Sequence, residues 1–209
     1  MRTLLRFLAP LLLLCIPLTL WAQEEQRSPY AFQGGLVAGG VGAQVDGDTH
    51  SGYHRLAGLG GFWVARPLGA KFRLRFEFRY IGKGSLANQG KGASRRQIYN
   101  LSLHYLELPV LLEYNLWREW HIALGVSGGY LLSADESNEY SNLLIGGRKS
   151  FKPYEWAGHA RVIYPINNHF TATFGASYSL LPIRGKVAIS SIARAQYNNL
   201  LTLSIDYTF

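Results

Sequence analysis

The sequence predicts an all-β fold, an eight-stranded antiparallel up-and-down transmembrane β-barrel. Three observations predict it. Long stretches alternate apolar and polar residues with a period of two, which makes a ribbon with one apolar and one polar side. The connections between these stretches alternate short and long, as in membrane barrels. The segment 201–209, LTLSIDYTF, puts Leu201, Leu203, Ile205, Tyr207 and Phe209 on one face and Thr202, Ser204, Asp206 and Thr208 on the other. A closed barrel needs such a strand, because its last strand must pair with its first.

The elements follow in order. A first strand over 33–45 is glycine-rich, with Val37, Val41 and Val45 on one parity, and a second covers 53–66. The third, 71–83, is the clearest: Phe72, Leu74, Phe76, Phe78 and Tyr80 alternate with Arg73, Arg75, Glu77 and Arg79. The fourth, 98–115, opposes Leu106, Leu108, Val110, Leu112 and Tyr114 to Glu107 and Glu113. Its first half carries Leu101 and Leu103 on the other parity, so a β-bulge is expected near His104 and Tyr105. The fifth, 119–133, aligns Trp120, Ile122, Leu124, Val126, Tyr130 and Leu132 on one face. The sixth, 151–164, sets Trp156, Ala160, Val162 and Tyr164 against Glu155, His159 and Arg161. The seventh is 169–181 and the eighth 197–209, and no stretch after the first 22 residues sustains a helical period.

Short turns are expected at 67–70, 115–118 and 165–168, and long loops at 46–52, 84–97, 134–150 and 182–196. Aromatics lie near strand ends on the apolar parity: Tyr80, Tyr114, Trp120, Tyr130, Trp156, Tyr164, Tyr178, Tyr207 and Phe209. Interfacial girdles have this placement, which favours a membrane barrel over a lipocalin-like barrel or sandwich.

The N-terminal region reads as a secretory signal peptide over 1–22. Arg2 and Arg6 precede an apolar stretch at 7–21, and Ala22 stands at the expected cleavage point. That stretch is shorter than the about 20 residues of a helical span. An uncleaved anchor and lipidation of Cys15 are the weaker alternatives. Residues 23–32 are then a short periplasmic segment and 33–209 the barrel. Cleavage would remove the single Cys and two of the 21 basic residues, leaving 19 Lys+Arg against 13 Asp+Glu, a net charge of +6. Such a mature chain has no disulfide, thiol nucleophile or Cys metal site. No later apolar run is long enough for a helical span, so a helical membrane protein is excluded.

YLELPVLLEY at 105–114, followed by a turn and IALGVSGGYLLSA at 122–134, resembles the outer-membrane β-barrel family typified by PorT, common in Bacteroidota. The hairpin PLGAKFRLRFEFRY and the aromatic-ended last strand also fit, and the resemblance spans the whole mature chain. It implies the outer membrane of a Gram-negative bacterium and the possibility of a secretion-related envelope complex. Ile205, Tyr207 and Phe209 resemble the signal read by the barrel-assembly machinery.

Two groups of side chains could carry function. On the polar parity Arg73, Arg75, Glu77, Arg79, Glu107, Glu113, Glu155, Arg161 and Asp206 would face the interior. An eight-stranded barrel is only wide enough for side chains, so these charges should pair as a plug rather than line a pore. Asp206 is expected to reach the Arg-rich third strand or Arg161. The second group is basic: Lys91, Arg95 and Arg96 in one long loop and Arg184, Lys186 and Arg194 in another, neither loop carrying an acid. These are candidates for lipopolysaccharide phosphates or a protein partner. His50 and His54 near Asp46, Asp48 and Ser51 could form an acid–base or metal group of a small lipid A enzyme. No motif of a hydrolase, zinc protease or phosphate loop supports this. The expectation is a non-enzymatic scaffold or accessory subunit without cofactor and without nucleic acid. A rim enzyme and a narrow ion or proton conductance are the alternatives.

Overall fold

The computed structural model describes residues 31–48, 52–89, 96–117, 119–138, 151–189 and 192–209. The expected signal peptide lies outside them. The strands are β1 (Gln33–Asp46), β2 (Arg55–Pro67), β3 (Phe72–Gln89), β4 (Arg96–Trp117), β5 (Trp120–Asn138), β6 (Tyr154–Pro165), β7 (Phe170–Ser179), β8 (Arg184–Ile189) and β9 (Ile192–Thr208). Each of β1 to β6 pairs antiparallel with the next, and β7 pairs with β9. Pairing of β1 with β9, from Gly35–Thr208 to Asp46–Tyr197, closes the ring. The barrel is thus eight-stranded. The short β8 stands outside the ring and pairs with β9 alone among the described residues.

Alternation decides which side chains meet lipid. Phe76, Phe78 and Tyr80 of β3 and Leu108, Val110 and Leu112 of β4 are exposed, whereas Arg75, Glu77, Arg79, Glu107 and Glu113 are buried. In water this pattern would be inside out; in a bilayer it is the low-energy arrangement. From Phe72 to Tyr80 the outward apolar run rises roughly 20 Å for strands tilted by about 40°, close to the about 25 Å apolar band of membrane barrels. Aromatic pairs mark both edges. Phe72–Tyr114 and Trp120–Tyr164, each 5.0 Å between centroids, lie at the end with the short turns. Tyr130–Tyr154 (5.6 Å) and Tyr178–Tyr197 (5.9 Å) lie toward the long hairpins.

Closure needs a backbone that can approach closely. A Cβ on Gly39 of β1 would fall 2.4 Å from the Leu203 carbonyl oxygen and 2.6 Å from Ser204 Cβ of β9. Only glycine leaves room for the seam there.

Two expectations about the loops are corrected. The strands continue well beyond the apolar band, so the supposed 84–97 loop is largely a β3–β4 hairpin with pairs up to Gln89–Arg96. Arg96 is thus the first residue of β4. Likewise, the described part of 182–196 is largely strand, β8 pairing with the start of β9 through Arg184–Gln196 and Val187–Arg194. Lys186 and Arg194 therefore sit in strands. Ladder hydrogen bonds reward pairing wherever the chain can alternate, inside or outside lipid. Lys91 and Arg95 lie outside the described residues, as do His50 and Ser51.

The bulge is at the expected height, but its cause differs. His104 pairs with Ser133 and Tyr105 with Leu131, so the extra residue is Leu132 of β5. β4 alternates without interruption, and Leu101, Leu103 and Tyr105 all point inward at 0% exposure. They share an apolar layer with Val41, Ala43, Val45, Ile81, Ile183 and Leu200. The apolar parity switch seen in β4 is thus a change in what fills the barrel, not a change of face. In β5 the inserted residue does change the facing: Ser127 below it is buried, and above it Glu136 lies opposite inward-facing Leu101.

Candidate functional site

The interior holds one continuous column of ion pairs. β3 supplies its spine, because residues 73 to 83 of odd number all face inward. Starting at the turn end, Arg73 Nε pairs with Glu113 at 2.5 Å, and Arg75 Nη1 lies 3.7 Å from the same carboxylate. Arg75 also meets Asp206 at 2.8 Å and Glu77 at 2.7 Å. Its guanidinium stacks over Trp63 of β2, 4.5 Å from the ring centroid. Asp206 therefore reaches the third strand, through Arg75.

Glu77 is the centre. Arg161 of β6 donates to it twice, from Nη1 at 2.6 Å and Nη2 at 3.0 Å, in a bidentate fork. Arg79 approaches its other side at 3.4 Å. Arg79 then donates to Glu107 from Nε at 2.9 Å and Nη2 at 2.6 Å. Lys83 bridges Glu107 and Glu155, 2.9 Å from each. The Ser127 hydroxyl donates to Glu107 at 3.0 Å, which leaves its oxygen to accept from His159 Nε2 at 2.7 Å. Ser179 and Asn198 donate to Glu155 at 2.5 and 3.1 Å.

The column's charges balance: Arg73, Arg75, Arg79, Lys83 and Arg161 face Glu77, Glu107, Glu113, Glu155 and Asp206. Balance is required, since an unpaired ion in such an interior costs several kcal/mol. At the turn end the column stops at Arg73, whose side chain is 29% exposed. A cleft of about 200 Å³ opens there between Gln33, Lys71, Arg73, Glu113 and His121.

At the loop end the apolar layer covers the column, and Ile183 is fully buried in it. Arg184 donates to Glu136 at 2.9 Å and stacks 4.1 Å over the Phe151 ring. Only 4% exposed, Arg184 closes the mouth instead of offering its charge to lipopolysaccharide or a partner. Burial against Phe151 and Glu136 stabilises it more than a water-facing loop would.

Sequence reasoning brought together the nine charged residues of the polar parity but left out the hydrogen-bonding Ser127, His159, Ser179 and Asn198, as well as Lys83, Trp63 and Glu136. Lys83 stands at the end of the expected third strand, and continuing the odd parity of Arg79 by two more steps places it inside. Trp63 was invisible because an aromatic on a membrane strand reads as outward. Glu136 needed the β5 bulge, which no residue in that segment announces. His54 is described, and among the described residues no group of three or more His, Cys, Asp or Glu could hold a metal ion.

These features together define an outer membrane β-barrel. The family model for the outer membrane protein beta-barrel domain matches residues 21–184, and the chain belongs to that family. Its outer face is accordingly surrounded by the lipid and lipopolysaccharide of a Gram-negative outer membrane. Among solved structures it is similar to Ail, the attachment invasion locus protein of Yersinia pestis, at 10% identity, covering 85% of this chain and 98% of that one, with a TM-score of 0.46. It is similar to Neisserial surface protein A at 15% identity, covering 87% and 98%, with a TM-score of 0.47. A major outer membrane protein from Thermus thermophilus matches at 13% identity, covering 86% and 100%, with a TM-score of 0.48. No curated protein matches the chain.

Proposed function

We propose that this protein is a sealed, non-enzymatic outer-membrane scaffold or accessory subunit of an envelope complex, acting through its surfaces rather than its interior. The observation that carries the reading is the filled barrel. From Arg73 to Glu155 the axis is occupied by bonded ion pairs, and above them Leu101, Leu103, Ile183 and Leu200 close it. A porin of aqueous type needs about 16 strands. The interior charges are spent on each other, so they offer neither a free acid–base pair nor a hydrated path. The PorT-like hairpin at 105–134 adds the type of complex, one related to secretion in Bacteroidota. Delivery by a signal peptide and assembly by the barrel-assembly machinery belong to the same reading.

In planar bilayers the purified barrel should give no discrete conductance steps; a reproducible single-channel current would overturn the sealed interior. Crosslinking in intact outer membranes, followed by purification under denaturing conditions, should recover a constant protein partner. Recovery of the barrel alone would remove the scaffold reading.

A further inference from the structure

The lipid-facing surface carries a polar cluster that the interior column does not use. Arg55, at the start of β2, lies past the last β2–β3 pair, Leu59–Ile81. Its Nε donates to the Lys83 carbonyl at 3.0 Å, Nη1 to Asn100 Oδ1 at 2.6 Å and Nη2 to Ser102 Oγ at 2.5 Å. Gly84 makes this crossing possible: its φ is +125°, and a Cβ there would lie 3.1 Å from Arg55 Cδ. Ser102 Oγ is 3.0 Å from His104 Nε2, and the other ring nitrogen of His104 bonds the Tyr80 hydroxyl. Tyr80 is 41% exposed on the outward face, at the loop-side edge of the apolar band. The cluster therefore sits at headgroup depth. Every acceptor around the guanidinium is neutral, and among the described residues no carboxylate forms an ion pair with it. Asp135, opposite Ser102 in register, is exposed and takes no part.

Directly below lies a groove in the apolar face. Phe78, Leu106, Leu108, Tyr130, Tyr154 and Trp156 form its walls around a volume of about 370 Å³, and Gly128 is part of its floor. Leu106 joins the two features. It pairs with Tyr80 and with Tyr130, and it stands two residues from His104 on the same face of β4.

We infer that cluster and groove together form a binding site for one phosphorylated, acylated lipid of the outer leaflet, the lipid A anchor of lipopolysaccharide. One acyl chain lies over Gly128, and a phosphate meets Arg55, with His104 and Ser102 beside it. Charge complementarity selects this occupant: the groove alone would take any acyl chain, but an uncompensated guanidinium at its polar end prefers an anion. The inference does not depend on the scaffold reading, since a barrel of any role could hold the lipid.

Native mass spectrometry of the full barrel released from detergent tests it, with bisphosphorylated lipid A, the same lipid without phosphates, and phosphatidylglycerol as probes. The native protein should retain one bisphosphorylated lipid A in preference to the other two. Arg55→Gln should lower retention by roughly tenfold, as expected for a lost charge-assisted contact. Gly128→Leu, which fills the groove, should lower retention of both phosphorylated probes. A Cβ at Gly128 would meet only the Trp156 ring, at 3.8 Å, so this variant is expected to fold and decides the matter if Arg55→Gln does not. Equal retention of the dephosphorylated lipid, preference for phosphatidylglycerol, or unchanged retention in folded Gly128→Leu would each overturn the inference.

Discussion

Replacing Glu77 by glutamine should destabilise the barrel by about 3–5 kcal/mol, the usual cost of removing one partner from a buried ion network. The side chain keeps its shape, so packing is unchanged; only a charge is lost. Three guanidiniums lose their common counter-ion, Arg75 at 2.7 Å, Arg79 at 3.4 Å and Arg161 at 2.6 Å. Urea titration of the refolded protein in detergent should show a lower midpoint with an unchanged slope. Adding Arg161→Met removes the excess cation and should restore part of the loss, giving a favourable coupling in the double-mutant cycle. A midpoint for Glu77→Gln equivalent to less than about 0.5 kcal/mol of change would show that the network does not hold the barrel.

The second large effect is steric. Gly39→Val should prevent closure. Its Cβ would meet backbone, the Leu203 carbonyl oxygen at 2.4 Å, rather than a side chain that could swing away. Overpacking of this kind costs about 1–3 kcal/mol even where the surroundings can yield. A seam strand can yield only by giving up its ladder. On a gel run without heating, the compact band of the folded barrel should be lost, while Gly40→Val, where a Cβ meets nothing within 4 Å, keeps it. A compact band for Gly39→Val would mean that β1 and β9 can pair at another spacing.

Most of the barrel was legible because lipid on one side and packed charge on the other enforce strict alternation. Phe72 to Tyr80, read one residue at a time, specifies both faces of β3, and the seam between Leu201–Tyr207 and β1 follows once seven other strands are counted. Legibility failed where alternation no longer reports the environment. Leu101 and Leu103 look like lipid-facing residues but fill the barrel, because above the ion column its interior is apolar. Lys83 and Arg184 look like loop cations but are deeply enclosed, each held by carboxylates contributed by distant strands. Glu155 and Glu136 lie far from them in sequence, and period-two patterns carry no information about such partners. The polar cluster at Arg55 was hidden for a related reason: it depends on where the β2–β3 pairing ends and on the positive φ of Gly84 within β3.

Charge also distinguishes an open sheet from a closed ring. The β3–β4 hairpin alone carries four interior cations, Arg73, Arg75, Arg79 and Lys83, and three acids, Glu77, Glu107 and Glu113. It is thus left with one positive charge in excess. β6 contributes Glu155 and Arg161, one of each sign, and changes nothing in the sum. The missing negative charge is Asp206 of β9, the strand whose pairing with β1 closes the ring, and it meets Arg75 at 2.8 Å. An open sheet therefore keeps one interior positive charge in excess that the closed ring does not. In a low-dielectric surrounding that excess is unfavourable, so the Asp206 carboxylate favours the closed ring over the open sheet.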